Sequence, residues 1–400
     1  KKTKWQISLS AVALLFASTN INGQTFNQAI QHALLANPDV LQGTATRIAA
    51  EYALDGAKAD WWPVVDVTAG IGEERSNNPT TRGIQGTSGS RSLTRYESSI
   101  ELRQNLFAGG ATMAEINRTR EALNAEHYRV LGVAEDVAAQ TAETYLDVLK
   151  RQKFVSLAKQ NVEAHHDILD MIRERSSAGV SRKAELDQAN GRLSLATSNK
   201  VAEMANLRDA RTTFTRIVGE PPQDLVKPVT PSSHLLPTSL DHGLQMAIAN
   251  HPNLKSAYAD VEEAKAQHRL AKAAYFPVVD AVLSASRNRN LDGLAGRNDD
   301  NLAMLRLRYN IFRGGGDRAR VKETGYQIQE AFEVKNRSIL QIEEAMRLAW
   351  NQHKAAKKRV RLLRDYRYSA GKTLDAYREQ FKVGKRSLLD LLDSQNEYYL

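Results

Sequence analysis

Between residues 95 and 106 the chain alternates. Tyr96, Ile100, Leu102 and Leu106 fall on even positions, and Arg95, Glu97, Glu101, Arg103 and Asn105 on odd ones. A period of two belongs to an extended strand with one apolar and one charged face. The preceding stretch matches, with Val65, Val67, Ala69 and Ile71 on one face and Asp66, Thr68 and Gly70 on the other. The same phase returns 205 residues later: Leu305, Leu307 and Ile311 replace Ile100, Leu102 and Leu106, and Arg306 and Arg308 replace Glu101 and Arg103. Strands of this kind suit a water-filled membrane barrel, with lipid outside and water inside. They also suit a soluble antiparallel sheet with one wet face.

Elsewhere the period is helical. Phe26, Ile30, Ala33 and Leu34 lie on one helix face, broken at Asn37-Pro38, and a second helix runs to about Trp61 before Pro63 starts the first strand. The polar stretch 72–94, rich in Gly, Ser, Thr and Asn, reads as a long exposed loop. From Gly110 to about Ser177 no proline interrupts a helical pattern that would reach roughly 100 Å. Val148, Val155, Val162 and Leu169 recur every seven residues, with Arg151 and His165 spoiling neighbouring slots. That is a partial coiled-coil seam, suited to helices packed side by side. A turn at residues 176–180 leads to a return helix over about 182–218.

The chain is a tandem duplication. Trp62-Pro63-Val64-Val65-Asp66 returns as Phe276-Pro277-Val278-Val279-Asp280, and the prolines at 38 and 252 share that spacing of 214 residues. Asn105-Leu106-Phe107-Ala108-Gly109-Gly110 returns as Asn310-Ile311-Phe312-Arg313-Gly314-Gly315, and Tyr145 as Trp350, at a spacing of 205. The nine-residue difference falls between two strands, where a loop tolerates it. Five prolines crowd into the segment between the copies. The expected organisation is a leader over 1–23, a first repeat over 24–219, a Pro-rich linker over 220–238 and a second repeat over 239–400. In the second repeat we expect strands near 278–286 and 302–311, a long helix over 316–382 and a turn at Gly384. The first copy continues its return helix to Val218, so the second copy is expected to be incomplete at its C-terminal end.

Composition narrows the reading. No internal segment offers the roughly 20 apolar residues of a membrane helix, so a membrane crossing would fall to strands. Lys1, Lys2 and Lys4 precede an apolar run over 7–17 and then small and polar residues, the pattern of a secretory signal peptide. Its removal takes the formal charge from +9 to about +6, spread along helices without a dense basic block, so nucleic-acid binding is not indicated. The absence of cysteine excludes disulfides and a lipid-modified N-terminal cysteine.

Enzyme signals do not converge, and neither a cofactor nor a resident metal is expected. His165-His166 lies among acidic neighbours without the three or four ligands of a zinc site, which favours a solvated helix face. Arg313-Gly314-Gly315-Gly316 lacks the Gly-Lys-Ser/Thr of a phosphate loop and reads as a strand-to-helix turn. Four strands per chain cannot close a barrel in lipid. Eight leave an interior filled by side chains, whereas three chains supply twelve around an open lumen.

The duplicated Asn-Pro, Phe-Pro and Phe-x-Gly-Gly signals resemble those of the TolC-like outer-membrane channels. So does the turn Phe381-Lys382-Val383-Gly384-Lys385-Arg386-Ser387-Leu388-Leu389-Asp390-Leu391-Leu392-Asp393. The resemblance covers the chain from Gln24 onward. It implies an α+β fold, internally duplicated, with four strands and long antiparallel helices per chain. These would form a trimeric twelve-stranded barrel in the outer membrane of a Gram-negative bacterium, on a periplasmic helical barrel. It further implies a passive duct that meets a periplasmic adaptor (membrane-fusion) protein and an inner-membrane ABC or proton-driven pump. The glycine-rich strand loops look most like the type I secretion branch, which exports proteins such as adhesins and toxins. A multidrug efflux channel is the alternative within the family, and a periplasmic coiled-coil scaffold or adaptor the alternative outside it.

Asp390 and Asp393 are three apart on a helix, hence on one face. As a solvated helix start they are favourable in any case; as part of a threefold assembly they would form two stacked rings of carboxylates. The resemblance implies the rings, lining a periplasmic constriction where polyvalent cations could block. It also implies Arg386 and Phe381 as latch residues, with Glu185 of the first-copy turn as partner. Phe381 lacks the hydroxyl of the family's tyrosine, so one latch hydrogen bond is expected to be absent.

Overall fold

The computed structural model describes residues 23–84 and 89–399. The leader, apart from Gly23, lies outside them. In chain order the elements are α1 (Phe26–Ala36), α2 (Pro38–Ala59), β1 (Val64–Ser76), α3 (Pro79–Arg82), β2 (Arg91–Ala108), α4 (Ala111–Ser177) and α5 (Lys183–Val218). They continue with α6 (Leu240–Asn250), α7 (Pro252–Lys272), β3 (Val278–Arg289), β4 (Arg297–Arg308), α8 (Gly316–Lys382) and α9 (Leu388–Tyr399). The second set begins 214 residues after the first through β3, and 205 residues after it at α8 and α9. Both long helices have 67 residues.

Local chemistry sets these boundaries. Thr25 caps α1, its Oγ1 accepting from Gln28 N (3.3 Å) while Gln28 Oε1 accepts from Thr25 N (2.9 Å). Asn37 serves the Asn-Pro break twice. Its Oδ1 accepts from Asp39 N (2.9 Å) at the start of α2, and its Nδ2 donates to Ile217 O (3.0 Å). Gly109-Gly110 and Gly314-Gly315 turn strand into helix at φ of 62° and 84°, and 61° and 83°. A Cβ on Gly109 would stand 2.6 Å from Phe276 Cβ, so only glycine fits.

The compact units are not the repeats. Among the described residues, one unit comprises 23–42, 133–243 and 345–399, and the other takes its residues from 43–132 and 244–344, so each takes segments from both copies. In the first unit, Tyr145 is fully buried beside Phe26 and Phe214 (ring centroids 5.4 and 6.3 Å). Its hydroxyl contacts Gln24 O (2.8 Å) and Val226 O (2.6 Å), and burial raises its pKa. The backbone pairs Gln24 with Gln223 and Val226, so the Pro-rich segment is anchored along the start of the first copy. Trp350, the counterpart of Tyr145, is half-buried.

The second unit holds a four-stranded antiparallel sheet in the order β1-β2-β3-β4. Val65, Leu102, Leu283 and Ala303 form one cross-strand row, and Val67, Ile100, Ala285 and Asn301 the next. Leu305 and Leu307 share this apolar face through Ala281 and Val279. The other face carries Asp66, Thr68, Ser99, Glu101, Ser284 and Arg306. Asp280, buried there, accepts from Asn105 Nδ2 (2.9 Å) and Arg308 Nη2 (2.7 Å).

Three expectations about the strands are corrected. The stretch 72–94 is not all loop: β1 continues to Ser76, β2 starts at Arg91, and α3 lies between them. Backbone pairing continues there although the side chains, apart from Leu93, are polar on both faces and carry no alternation. In the second copy the hairpin extends the same way, and β4 ends at Arg308, leaving Ile311 outside it. A bulge falls between Asn105 and Phe107, so Phe107 rather than Leu106 pairs with Val279.

Candidate gate at the helix turns

The two long helices end alike. At Gly179 (φ 74°) and Gly384 (φ 73°) the chain enters the left-handed region. Val180 N donates to Arg175 O (2.8 Å) and Lys385 N to Gln380 O (2.9 Å), closing each helix end with its glycine. Beside the turns lies a core of Ile168, Leu169 and Ile172 from α4, Ala189 from α5, Leu374 and Phe381 from α8, and Leu388, Leu391 and Leu392 from α9.

Phe381 belongs to that core, only 5% exposed. Arg175 stands 4.8 Å from its ring centre, and Arg175 Nη1 donates to Phe381 O (3.0 Å). A ring so placed contributes packing and a cation–π contact within its own chain. Arg386 lies 4.1 Å from the ring centre of Tyr377, donates from Nε to Gln380 Oε1 (3.1 Å), and has Nη1 3.8 Å from Asp390 Oδ2.

Asp390 and Ser387 close the start of α9: Asp390 N donates to Ser387 Oγ (3.2 Å), and Ser387 Oγ donates to Asp390 Oδ2 (2.8 Å). Asp393 is exposed and pairs with Arg192 of α5 (2.8 Å). Glu185 accepts from Ser181 Oγ and from Arg182 N (3.4 Å) at the start of α5. Within one chain, Glu185 therefore serves its own helix start, and no described contact joins it to Arg386 or Phe381.

Four participants escaped the sequence reading: Arg175, Arg192, Tyr377 and Glu397. Glu397 accepts from Tyr366 Oη (3.1 Å) and extends Asp390 and Asp393 along one face of α9. The repeat spacing could have revealed two of them. Glu185, Gln188 and Arg192 lie 205 residues before Asp390, Asp393 and Glu397.

His165 is a correction. It is buried in the helix seam rather than solvated, and its Nδ1 has no partner. Burial, and then the charge of Arg192, hold its pKa below the ordinary histidine value. His166 is exposed, 3.0 Å from Asp170. Among the described residues no group of three or more His, Cys, Asp and Glu is placed to hold a metal.

The profile described as "Outer membrane efflux protein" matches residues 29–220 and 243–400. The chain belongs to the outer membrane efflux protein family. It is 28% identical over 305 residues to the outer membrane efflux protein BepC of Brucella suis, covering 74% of this chain and 65% of BepC. It is 23% identical over 409 residues to the outer membrane protein TolC of Escherichia coli K12, covering 98% of this chain and 80% of TolC. Other relatives are named for alkaline protease secretion, AprF, and for pyoverdine export, OpmQ, both of Pseudomonas aeruginosa. In fold it matches the CusC channel with a TM-score of 0.79 at 18% identity, over 94% of this chain and 86% of CusC. Membership places the protein in the outer membrane, among conduits rather than enzymes, and removes the periplasmic scaffold as an alternative.

Proposed function

We propose that three copies of this chain form the outer-membrane exit duct of a tripartite export system, with the turns beside Gly179 and Gly384 as its periplasmic gate. The observation that carries the assembly is the open sheet. β1 and β4 are edges, and one face is largely apolar from the row of Val279 and Leu307 to the row of Val67, Ile100 and Ala285. Unpaired edges are untenable in lipid, and three copies give twelve strands around a lumen. An adaptor and an inner-membrane pump would act on the turns.

Within this reading Asp390 and Asp393 repeat as rings of carboxylates, and Arg386 and Phe381 hold the closed turns, with Glu185 of a neighbouring copy as the latch partner. The cargo we favour is protein, in type I secretion. The polar sequence over 72–94, in a segment nine residues longer than its counterpart in the second copy, and the relationship to AprF support it. The relationship to OpmQ favours the second reading, efflux of small molecules.

Single-channel recording in a planar bilayer tests the gate. Polyvalent cations added on the periplasmic side should block the wild-type channel, and Asp390→Ala with Asp393→Ala should abolish the block. Arg386→Ser should raise the resting conductance. Unchanged block in the double variant removes the carboxylate rings, and unchanged conductance in Arg386→Ser removes the latch.

A further inference from the structure

Past the apolar rows of the sheet, toward the turn joining β3 to β4, the same face becomes basic. Ala69, Ser98, Arg287 and Asp299 form the row after Ala285, and Ile71, Tyr96, Arg289 and Arg297 the row after that. Arg287, Arg289 and Arg297 are exposed, and with Tyr96 and Gly296 they line a hollow of about 420 Å³. On β3 and β4 the opposite face at this level carries Ser286, Asn288, Asn298 and Asp300, and the cation that β2 places on that face, Arg95, is neutralised by Glu74 (2.8 Å) and Glu97. Arg287, Arg289 and Arg297 are thus confined to the side that continues the apolar surface, which argues against a role in drawing ions into the lumen.

Their surroundings leave charge to spare. Arg297 is paired with Asp299 through Nε and Oδ1 (2.8 Å). Arg287 faces Asp299 across the ladder without a close ion pair, and Arg289 has no acidic partner among the described residues. The turn that presents them is well tied. Asn290 N donates to Gly296 O (2.8 Å), Gly296 N to Asn290 Oδ1 (3.1 Å), and Asn290 Nδ2 to Thr94 O (2.7 Å). A guanidinium fork matches phosphate oxygens two at a time, and tyrosine is favoured where hydrocarbon meets headgroups.

We propose that Arg287, Arg289 and Arg297, with Tyr96 between them, bind the phosphates of lipid headgroups in the outer leaflet of the outer membrane. The site rests on the reading that the apolar face of the sheet meets lipid, with the β3–β4 turn at the cell exterior. Asp299 then limits the site by occupying Arg297.

The test uses the full chain purified in detergent, with native mass spectrometry counting retained bisphosphorylated lipid A. Wild type should retain it, and Arg287→Gln with Arg289→Gln and Arg297→Gln should bind it at least about tenfold more weakly, basic residues near a headgroup being worth about fivefold each. Dephosphorylated lipid A should bind wild type as weakly as lipid A binds the triple variant. Asp299→Asn should tighten binding, an effect that general damage to the hairpin would not produce. Equal retention by wild type and triple variant, indifference to the phosphates, or full displacement by millimolar inorganic phosphate would each overturn the site. If the chain fractionates with the outer membrane while any of these holds, only the lipid site falls. A chain recovered as a soluble periplasmic species would overturn the duct and the site together.

Discussion

In the first copy the return helix opens with Glu185, Gln188 and Arg192, which sum to no charge; in the second, the same positions hold Asp390, Asp393 and Glu397, three carboxylates. The strands behave differently. Ile100 and Leu102 correspond to Leu305 and Leu307, and all four stand on one face of the sheet. A membrane asks the same of every strand, so both copies answer alike. The turns share a backbone, down to the glycine φ and the bonds that close the helix, but their side chains have separated into an acidic turn and a neutral one whose Arg192 binds the acidic turn's Asp393.

The sharpest way to break this comparison is at the core beside the acidic turn. Phe381→Ala should cost about 3–5 kcal/mol, the usual loss for a buried aromatic. Ser176→Ala, at the matching place in the first copy, should cost less than about 0.5 kcal/mol. Denaturant unfolding in detergent measures both, and equal losses would mean the turns are not specialised. For the strands the copies should agree. Arginine at Ile100 or at Leu305 should cost about 2–4 kcal/mol near the midplane, while Ser99→Arg or Glu101→Arg should be tolerated and alter conductance. If both faces respond equally in insertion assays, the assignment of the apolar face to lipid is wrong.

A smaller effect should come from His165. Its folded-state pKa is lowered, so the unfolded chain takes up a proton first as pH falls below about 6.5. Stability from this residue should be complete above about pH 7. It should decline by up to about 1.4 kcal/mol per pH unit below 6.5 until the folded ring itself protonates. Melting curves at pH 7.5 and 5.5 should show that slope in wild type and lose it in His165→Leu; an unaltered slope would assign it elsewhere. The smallest contrast concerns the caps. Ser387→Ala should cost about 1 kcal/mol, whereas Arg182→Ala, at the matching position with no side-chain acceptor, should cost almost nothing by the same measurement.

Much of the fold was legible because each element carries a period. The alternation at residues 95–105 put Ile100 and Leu102 on the face the ladder gives them, and glycines at 179 and 384 marked both turns. Strand ends were not legible, since hydrogen bonding continues through Glu73–Ser76 and Arg91–Thr94, where polarity no longer alternates. The bulge beside Leu106 depends on how β2 meets β3, which one strand cannot announce. At the turns, Asp390 and Asp393 were visible from spacing alone. The contacts of Arg175 with Phe381 and of Arg192 with Asp393 join residues about 200 apart in sequence. His165 misled because its acidic sequence neighbours lie on another side of the helix.

The equal length of α4 and α8, 67 residues each, has a geometric consequence. A helix is a screw on which each residue advances the azimuth by about 100°. Adding or deleting a single residue inside one long helix would swing every side chain beyond it a quarter-turn or more, uncoupling the direction in which the turn presents its carboxylates from the direction set where the helix leaves its strand. Length change in such a chain is therefore confined to places with no screw to disturb. The nine-residue difference between the copies falls in one, the segment joining two strands.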